Sequence, residues 1–302
     1  RGERGATMRF ASRGAAAWLL AMFVGAWGAS ALAQAISEPF SAATPGPGWT
    51  LSGSAVLTGD GVIDPVGSGW LRLNPAAGGL GYAYHGAVLP TNAVITVAFD
   101  FALWGGSVPP ADGMTFFLWD ASAAFASGSG GGYLGYMGMP NNAVGVGVLD
   151  SYPSPTFSNN PDSIAIRGPA SASEPLLADT GGLSPTPETG ARGLSPADAN
   201  FRRLFITLSP AGPGNMRATV KLQTGGTTST VLSNVLVSQL PPTVRFGLSG
   251  STGDSTQIHE VRNFSLTVSP SPSNPVPTLG EGGAMLLASL LLLGGMEALR
   301  RS

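Results

Sequence analysis

The sequence predicts an all-β protein, a two-sheet antiparallel β-sandwich of the jelly-roll type, and three observations carry that expectation. Apolar and polar residues alternate with a period of two over many short stretches. No part of the body holds a long 3.6-residue apolar period. Gly, Pro, Asn and Asp break the stretches at short intervals. Antiparallel strands without helices must bury one sheet face against another.

Expected strands come first at 49–58 and 69–73. In 95–101, Ile95, Val97, Phe99 and Phe101 share one face, the mark of a half-buried strand. The stretch 114–119, Met-Thr-Phe-Phe-Leu-Trp, is too apolar to face water. It follows directly on Ala111-Asp112-Gly113, so a turn carboxylate is held at the rim of a buried sheet. Strands at 143–149 and 163–167 come next. In 202–208, Leu204, Ile206 and Leu208 point one way. In 216–223, Met216, Ala218, Val220 and Leu222 alternate with Arg217, Thr219, Lys221 and Gln223, leaving one face solvated. Strands at 231–236, 243–249 and 258–268 complete the set. Residues 169–200, rich in Pro, Ser, Gly and Ala, are expected as a surface excursion that touches the sandwich through Leu176 and Leu177.

The two ends read differently from the body. Residues 1–7 lie upstream of Met8 and read as a mis-started extension. Residues 8–35 carry Arg9 and Arg13, an apolar run from 15 to 26, and Ala31-Leu32-Ala33 before Gln34, the layout of a signal peptide. The body is expected at 36–268. Prolines at 270, 272, 275 and 277 make 269–280 a semi-rigid spacer. Residues 281–302 hold an apolar run broken only by Ser289 and Glu297, then the Arg300-Arg301 pair, which is expected to stay cytoplasmic.

Composition narrows the function. The 302 residues are 43% hydrophobic, too many for a disordered chain, and only 11% charged with a net charge of −2. No basic field exists to draw nucleic acid, which is not expected as a partner. The absence of cysteine removes disulfides, thiolate catalysis and Cys-ligated zinc. His85 and His259 are the two histidines, too few for a multi-His metal site, and His259-Glu260 reads as part of a strand's polar face. Trp70, Trp104 and Trp119 read as core or rim packing.

Two resemblances follow from longer stretches. Val276-Pro277-Thr278-Leu279, then Glu281, the apolar run and the Arg pair, resemble the IPTL-type C-terminal sorting signals of Gram-negative bacteria, with Val276 where that motif usually has Ile. This implies export, to the cell surface, the outer membrane or the extracellular matrix, and a sorting machinery at the inner membrane as partner. The body resembles the L-type, legume-lectin-like (concanavalin A-like) carbohydrate-binding domains, in particular bacterial secreted ones. The resemblance rests on Ala111-Asp112-Gly113 before Phe116-Phe117, on Gly131-Gly132-Tyr133-Leu134-Gly135-Tyr136, on 146–153 (Val-Gly-Val-Leu-Asp-Ser-Tyr-Pro), and on 246–253 (Phe-Gly-Leu-Ser-Gly-Ser-Thr-Gly). Each is weak alone, and their order and spacing are specific together.

The resemblance implies a sugar site at one end of the sandwich, and sugar chemistry explains the residue types. A pyranose offers vicinal hydroxyls and an apolar C–H face, which call for a carboxylate acceptor, backbone N–H donors and an aromatic plane. Asp112 is the expected acceptor, Gly131 and Gly132 the close-approach backbone, Tyr152 the ring, and Ser154 a further polar contact. In the family the peptide before the matching aspartate is cis, which here is Ala111–Asp112. Taken singly, Asp-Gly is an ordinary hairpin turn, a glycine run an ordinary loop and Tyr-Pro an ordinary turn.

Metal is where the chain departs from the family. Plant members hold calcium and a transition metal through a Glu, an Asp, an Asn, a second Asp and a His. By position these fall here at Val148, Asp150, Ser154, Asn159 or Asn160, and Ser163. The resemblance therefore implies loss of the transition-metal site and at most a weak calcium site on Asp150, the Tyr152 carbonyl, Ser154 and Asn159 or Asn160, with Asp162 as a substitute. The expected function is non-catalytic glycan binding. Its rivals are a structural matrix protein with a degenerate site, and a glycoside hydrolase. The second would want paired carboxylates, and the Glu-x-Asp-x-x-Glu strand of sandwich hydrolases does not occur.

Overall fold

The computed structural model describes residues 34–75, 78–153 and 156–271. The expected signal peptide up to residue 33, the sorting motif and tail beyond 271, and Ser154 lie outside them. Fifteen strands are described in chain order: β1 (Gln34–Glu38), β2 (Trp49–Gly53), β3 (Val56–Leu57), β4 (Leu71–Asn74), β5 (Leu80–Pro90), β6 (Ala93–Trp104), β7 (Gly113–Asp120), β8 (Asn142–Leu149), β9 (Ile164–Arg167), β10 (Leu176–Asp179), β11 (Arg202–Pro210), β12 (Met216–Thr224), β13 (Thr227–Val237), β14 (Thr243–Ser251) and β15 (Ile258–Pro270). They form two antiparallel sheets. One runs β13-β12-β11-β6-β15-β4-β3, with β1 also paired to β15; the other runs β10-β9-β8-β7-β14-β5-β2.

The alternation read from the sequence is what packs the sheets. Ile95, Val97, Phe99 and Phe101 of β6, with Leu204, Ile206 and Leu208 of β11, bury against Phe116, Leu118, Val144, Val146, Val148, Phe246 and Leu248 of the second sheet. Each such side chain contributes about 1.5–3 kcal/mol on burial. The second sheet is covered on its outer face too, by residues 121–141 and 156–157. Tyr82, Phe117 and Trp119 there meet Phe125, Leu134, Tyr136 and Phe157. That second layer is why 114–119 has no polar face. It also explains Val-Gly-Val-Gly-Val in β8: the valines face the core, while a Cβ on Gly145 would meet the Tyr136 ring at 2.9 Å and one on Gly147 the Phe157 ring at 2.5 Å.

Three strands were not legible. Leu80–Pro90 carries Gly81, Gly86 and Pro90, which read as breakers. Gly81 is needed in the strand because a Cβ there would stand 1.8 Å from the Leu73 carbonyl oxygen. Gln34–Glu38 falls across the expected cleavage region, and its pairing runs from Gln34 opposite Val268 to Glu38 opposite Phe264. Leu176–Asp179 lies inside the expected excursion and is instead an edge strand on β9, with a bulge that hides its period.

The rest of the excursion is clamped by charge. Arg192 bonds Glu260 Oε2 through Nε at 2.6 Å and Asp64 through Nη1 at 2.7 Å, and lies over the rings of Trp70 and Trp104. Glu260 also accepts from Arg72 at 2.8 Å and from the Trp104 indole at 2.8 Å. The expectation of a polar face for His259-Glu260 is thus corrected: both side chains are fully buried, Glu260 beneath this clamp and His259 at the rim described next.

Candidate functional site

Four connections meet at one end of the sandwich: the residues before β7, the 121–141 cover, the loop after β8, and the 252–257 turn between β14 and β15. Asp112 ties them by its backbone. Its N–H donates to the Ser251 carbonyl at 3.2 Å and its carbonyl accepts from the Asp150 N–H at 3.2 Å. The Ala111–Asp112 peptide is cis. Gly113 follows with φ +137°, and a Cβ on it would lie 2.2 Å from the Val148 carbonyl oxygen, so Asp-Gly here is set by the approach of β7 to β8.

The cover is pinned from below. The Tyr82 hydroxyl accepts from the Gly128 N–H at 3.0 Å and donates to the Gly135 carbonyl at 3.1 Å. Burial pushes that phenol up to about 12. Ser249 donates to the Leu134 carbonyl at 2.6 Å. Between these anchors Gly131–Tyr133 forms a single 3-10 turn, with Gly131 at φ +62°.

The result is a cleft of about 310 Å³ lined by Asp112, Gly131, Gly132, Tyr152, Thr156 and the 253–255 turn. Four of the five sugar-binding residues expected from the sequence thus line one cleft; the fifth, Ser154, is outside the described residues. Asp112 Oδ2 is buried with no hydrogen-bond partner. Two glycines keep the space above it clear: a Cβ on Gly253 would stand 3.3 Å from that oxygen and one on Gly131 3.9 Å. Burial, then repulsion by Asp150, raises the Asp112 carboxyl to about 6, against the pull of His259 and the Gly253 N–H. A half-buried carboxylate with one oxygen buried and without a partner, in a small cleft, is an acceptor waiting for donors.

Sequence reasoning did not single out Thr156 or the 253–255 turn. The glycine-rich end of β14 was the available signal, since Gly253 closes the last of the stretches that carry the resemblance.

Beneath the cleft lies a crowd of carboxylates. Asp150 is 1% exposed, and its Oδ2 is 2.8 Å from His259 Nε2. Burial and then Asp150 raise the Asp162 carboxyl; burial, Asp150 and Asp162 raise that of Glu188. Glu188 accepts from Ser151 at 3.3 Å and from Gln257 at 3.1 Å.

Among the described residues the implied metal ligands are not assembled as a set. Val148 is in the core, and Ser163 bonds Ser158 and the Asn160 carbonyl. Asn159, through its backbone N–H, and Asn160, through its side-chain amide, bond Asp179 at 3.0 and 3.2 Å. Among the described residues, no three His, Asp or Glu side chains are placed to share one ion. Asp150 Oδ1 and Asp162 Oδ1 are bare, two oxygens where calcium takes roughly six to eight. Among the described residues a two-metal set is not assembled.

Solved structures share the fold. The basic winged bean lectin with Tn-antigen matches at TM-score 0.58 and 18% identity, over 78% of this chain and 98% of that one. The fold is that of the legume lectins. The Bauhinia forficata lectin in complex with GalNAc matches at TM-score 0.56 and 19% identity, over 79% and 99%. The exoplasmic/lumenal domain of VIP36, in its Ca2+/Man3GlcNAc-bound form, matches at TM-score 0.52 and 17% identity, over 76% and 87%. No protein-family model matches the sequence, and no curated protein sequence does.

Proposed function

We propose that the chain is a non-catalytic carbohydrate-binding protein that takes a neutral sugar in the Asp112 cleft. One observation carries this: the unpaired Asp112 oxygen, roofed by glycines and flanked by Tyr152, is the acceptor that a pair of sugar hydroxyls would satisfy. The lectin fold supports the reading, and the volume sits at the lower end of ligand clefts, which run from roughly 300 Å³. Asp112 and Asp254 are the charged side chains of the lining, so uronic and sulfated glycans are disfavoured. A glycan array holding galactose, GalNAc and Man3GlcNAc glycans beside acidic polysaccharides tests this. Binding confined to neutral sugars is expected, and binding only to acidic ones refutes it. Asp254 shares the lining of the cleft with Asp112, which favours a second reading, a hydrolase pair. Release of new reducing ends from a bound glycan would establish that reading; none is expected.

Export is part of the proposal, on the sequence alone: Arg9, Arg13 and the apolar run for secretion, and the 276–301 pattern for retention at a Gram-negative cell surface or matrix. Gln34 and Ala35 pair with Val268 and Thr267 of β15, which favours cleavage ahead of Gln34, since cutting before Ile36 would remove two of the five β1 pairs. N-terminal sequencing of secreted material is expected to read Gln34.

A further inference from the structure

A second cleft opens beside the first and is larger. It measures about 570 Å³ and is lined by segments 105–110 and 186–190, with Ser151 and Gln257. Three stretches of chain run from one lining to the other: Pro110 leads into Ala111 and Asp112, Ser151 into Tyr152, and Ser255 stands two residues before Gln257. Consecutive Cα atoms lie about 3.8 Å apart, so the two linings are neighbours at three points. Both segments are fixed. The Thr189 N–H donates to the Leu103 carbonyl at 2.8 Å, and Arg202 donates to the Thr186 and Glu188 carbonyls at 3.1 and 3.3 Å. In the other segment the Ser107 N–H donates to the Thr256 carbonyl at 2.9 Å, and its hydroxyl accepts from the Thr256 N–H at 2.8 Å.

The lining is short of donors. Gln257 is 3% exposed; its amide nitrogen donates to Glu188 Oε1 at 3.1 Å, and its amide oxygen is buried without a partner. With the amide so placed, the bare atom is an acceptor. Ser151 donates to the same Glu188 oxygen at 3.3 Å. A buried acceptor without a donor is costly, and a ligand hydroxyl would supply one. Val108, 97% exposed, and Pro110 add apolar surface for a sugar's C–H face. Glu188 is the ionisable side chain of the lining, so an anionic unit is disfavoured. Gly190 leaves room, since a Cβ on it would meet nothing within 4 Å.

We propose that this cleft is a second sugar subsite, which takes the next unit of a neutral glycan whose first unit lies against Asp112. The ligand is then an extended neutral glycan and not a lone monosaccharide. Hydroxyls of the second unit donate to the Gln257–Glu188 pair, and its C–H face lies on Val108 and Pro110. This rests on the reading of Asp112 as the sugar acceptor. Because the two clefts are preformed and adjacent, joining the two units makes the second contact intramolecular and raises affinity without changing the first.

Calorimetry on the full chain tests this with mannose, galactose and glucose, and with the tri- and tetrasaccharides built from each. In wild type the oligosaccharides of a sugar that binds should bind about tenfold or more tighter than the monosaccharide. Gly190→Phe puts a ring into open space at an exposed position outside the left-handed region. It should erase that gain, with the monosaccharide, read at the Asp112 cleft, as the internal control. Glu188→Gln keeps the size, should cut the gain several-fold, and decides the matter if Gly190→Phe does not fold. Oligosaccharides no tighter than the monosaccharide, a gain that survives both substitutions, or an equal fall for both ligands in Gly190→Phe overturns the proposal and leaves the Asp112 reading standing. Asp112→Asn should weaken monosaccharide and oligosaccharide alike. If it weakens neither while Gly190→Phe abolishes oligosaccharide binding, this cleft remains a sugar site and the Asp112 reading falls. Failure of every sugar to bind wild type refutes both.

Discussion

Asp112→Asn separates binding from stability in opposite directions. The wild-type carboxyl is raised from 3.8 to about 6, chiefly by burial and then by Asp150. At about 1.4 kcal/mol per unit, holding it ionised costs up to about 3 kcal/mol. Solvent screening of a part-exposed group brings this to about 1–2 kcal/mol. The folded state keeps this proton to higher pH than the unfolded chain does. The cost is therefore absent below about pH 4, grows between about 4 and 6, and is complete above that. Asparagine removes it while keeping the side chain's size. The variant should melt several degrees higher than wild type at pH 7.5, at about 2–4 °C per kcal/mol, with the gap closing near pH 4. Sugar binding should fall at least tenfold, since charge-assisted bonds worth about 1.5–3 kcal/mol each are lost. In wild type, affinity should rise with pH through about 6 as the acceptor ionises. Melts at the two pH values, with one sugar titration on each protein, read all of this. A lower melting temperature at pH 7.5, or unaltered affinity, would refute it.

Other perturbations read different parts. Gly253→Ala places a methyl 3.3 Å from Asp112 Oδ2 at an exposed turn, so sugar affinity should drop at least tenfold by calorimetry while the melting temperature moves by less than about 2 °C. Gly147→Ala drives a Cβ to 2.5 Å from the Phe157 ring and should cost about 1–3 kcal/mol in urea denaturation. Arg192→Met leaves the buried Glu260 with Arg72 as its remaining charged partner. Because that partner stays, the loss in the same assay should be about 2–3 kcal/mol, at the low end for a broken buried pair.

What the sequence made legible follows from how local each cause is. The β6, β11 and β12 faces could be read because alternation within one strand decides burial. Met114 to Trp119 showed itself as doubly buried. Asp112, Gly131, Gly132 and Tyr152 were legible as a group through motifs that the fold then placed around one cleft. β5 was hidden because its Gly81 answers to a carbonyl on β4, and β10 because a bulge breaks its period. The His259–Asp150 pair was hidden because its partners lie 109 residues apart, and the Arg192–Glu260 clamp because its partners are 68 apart. Polar residues that satisfy one another across the sandwich leave no periodic trace, so His259 and Glu260 looked like an ordinary solvated face.

The central claim is tested most directly by a crystal structure of the chain with a neutral sugar that it binds. The account predicts the sugar in the rim cleft, with adjacent hydroxyls donating to the Asp112 carboxylate, the ring beneath Gly131 and Gly253, and Tyr152 against its C–H face. A sugar seated elsewhere on the molecule, with nothing bonded to Asp112, would contradict it.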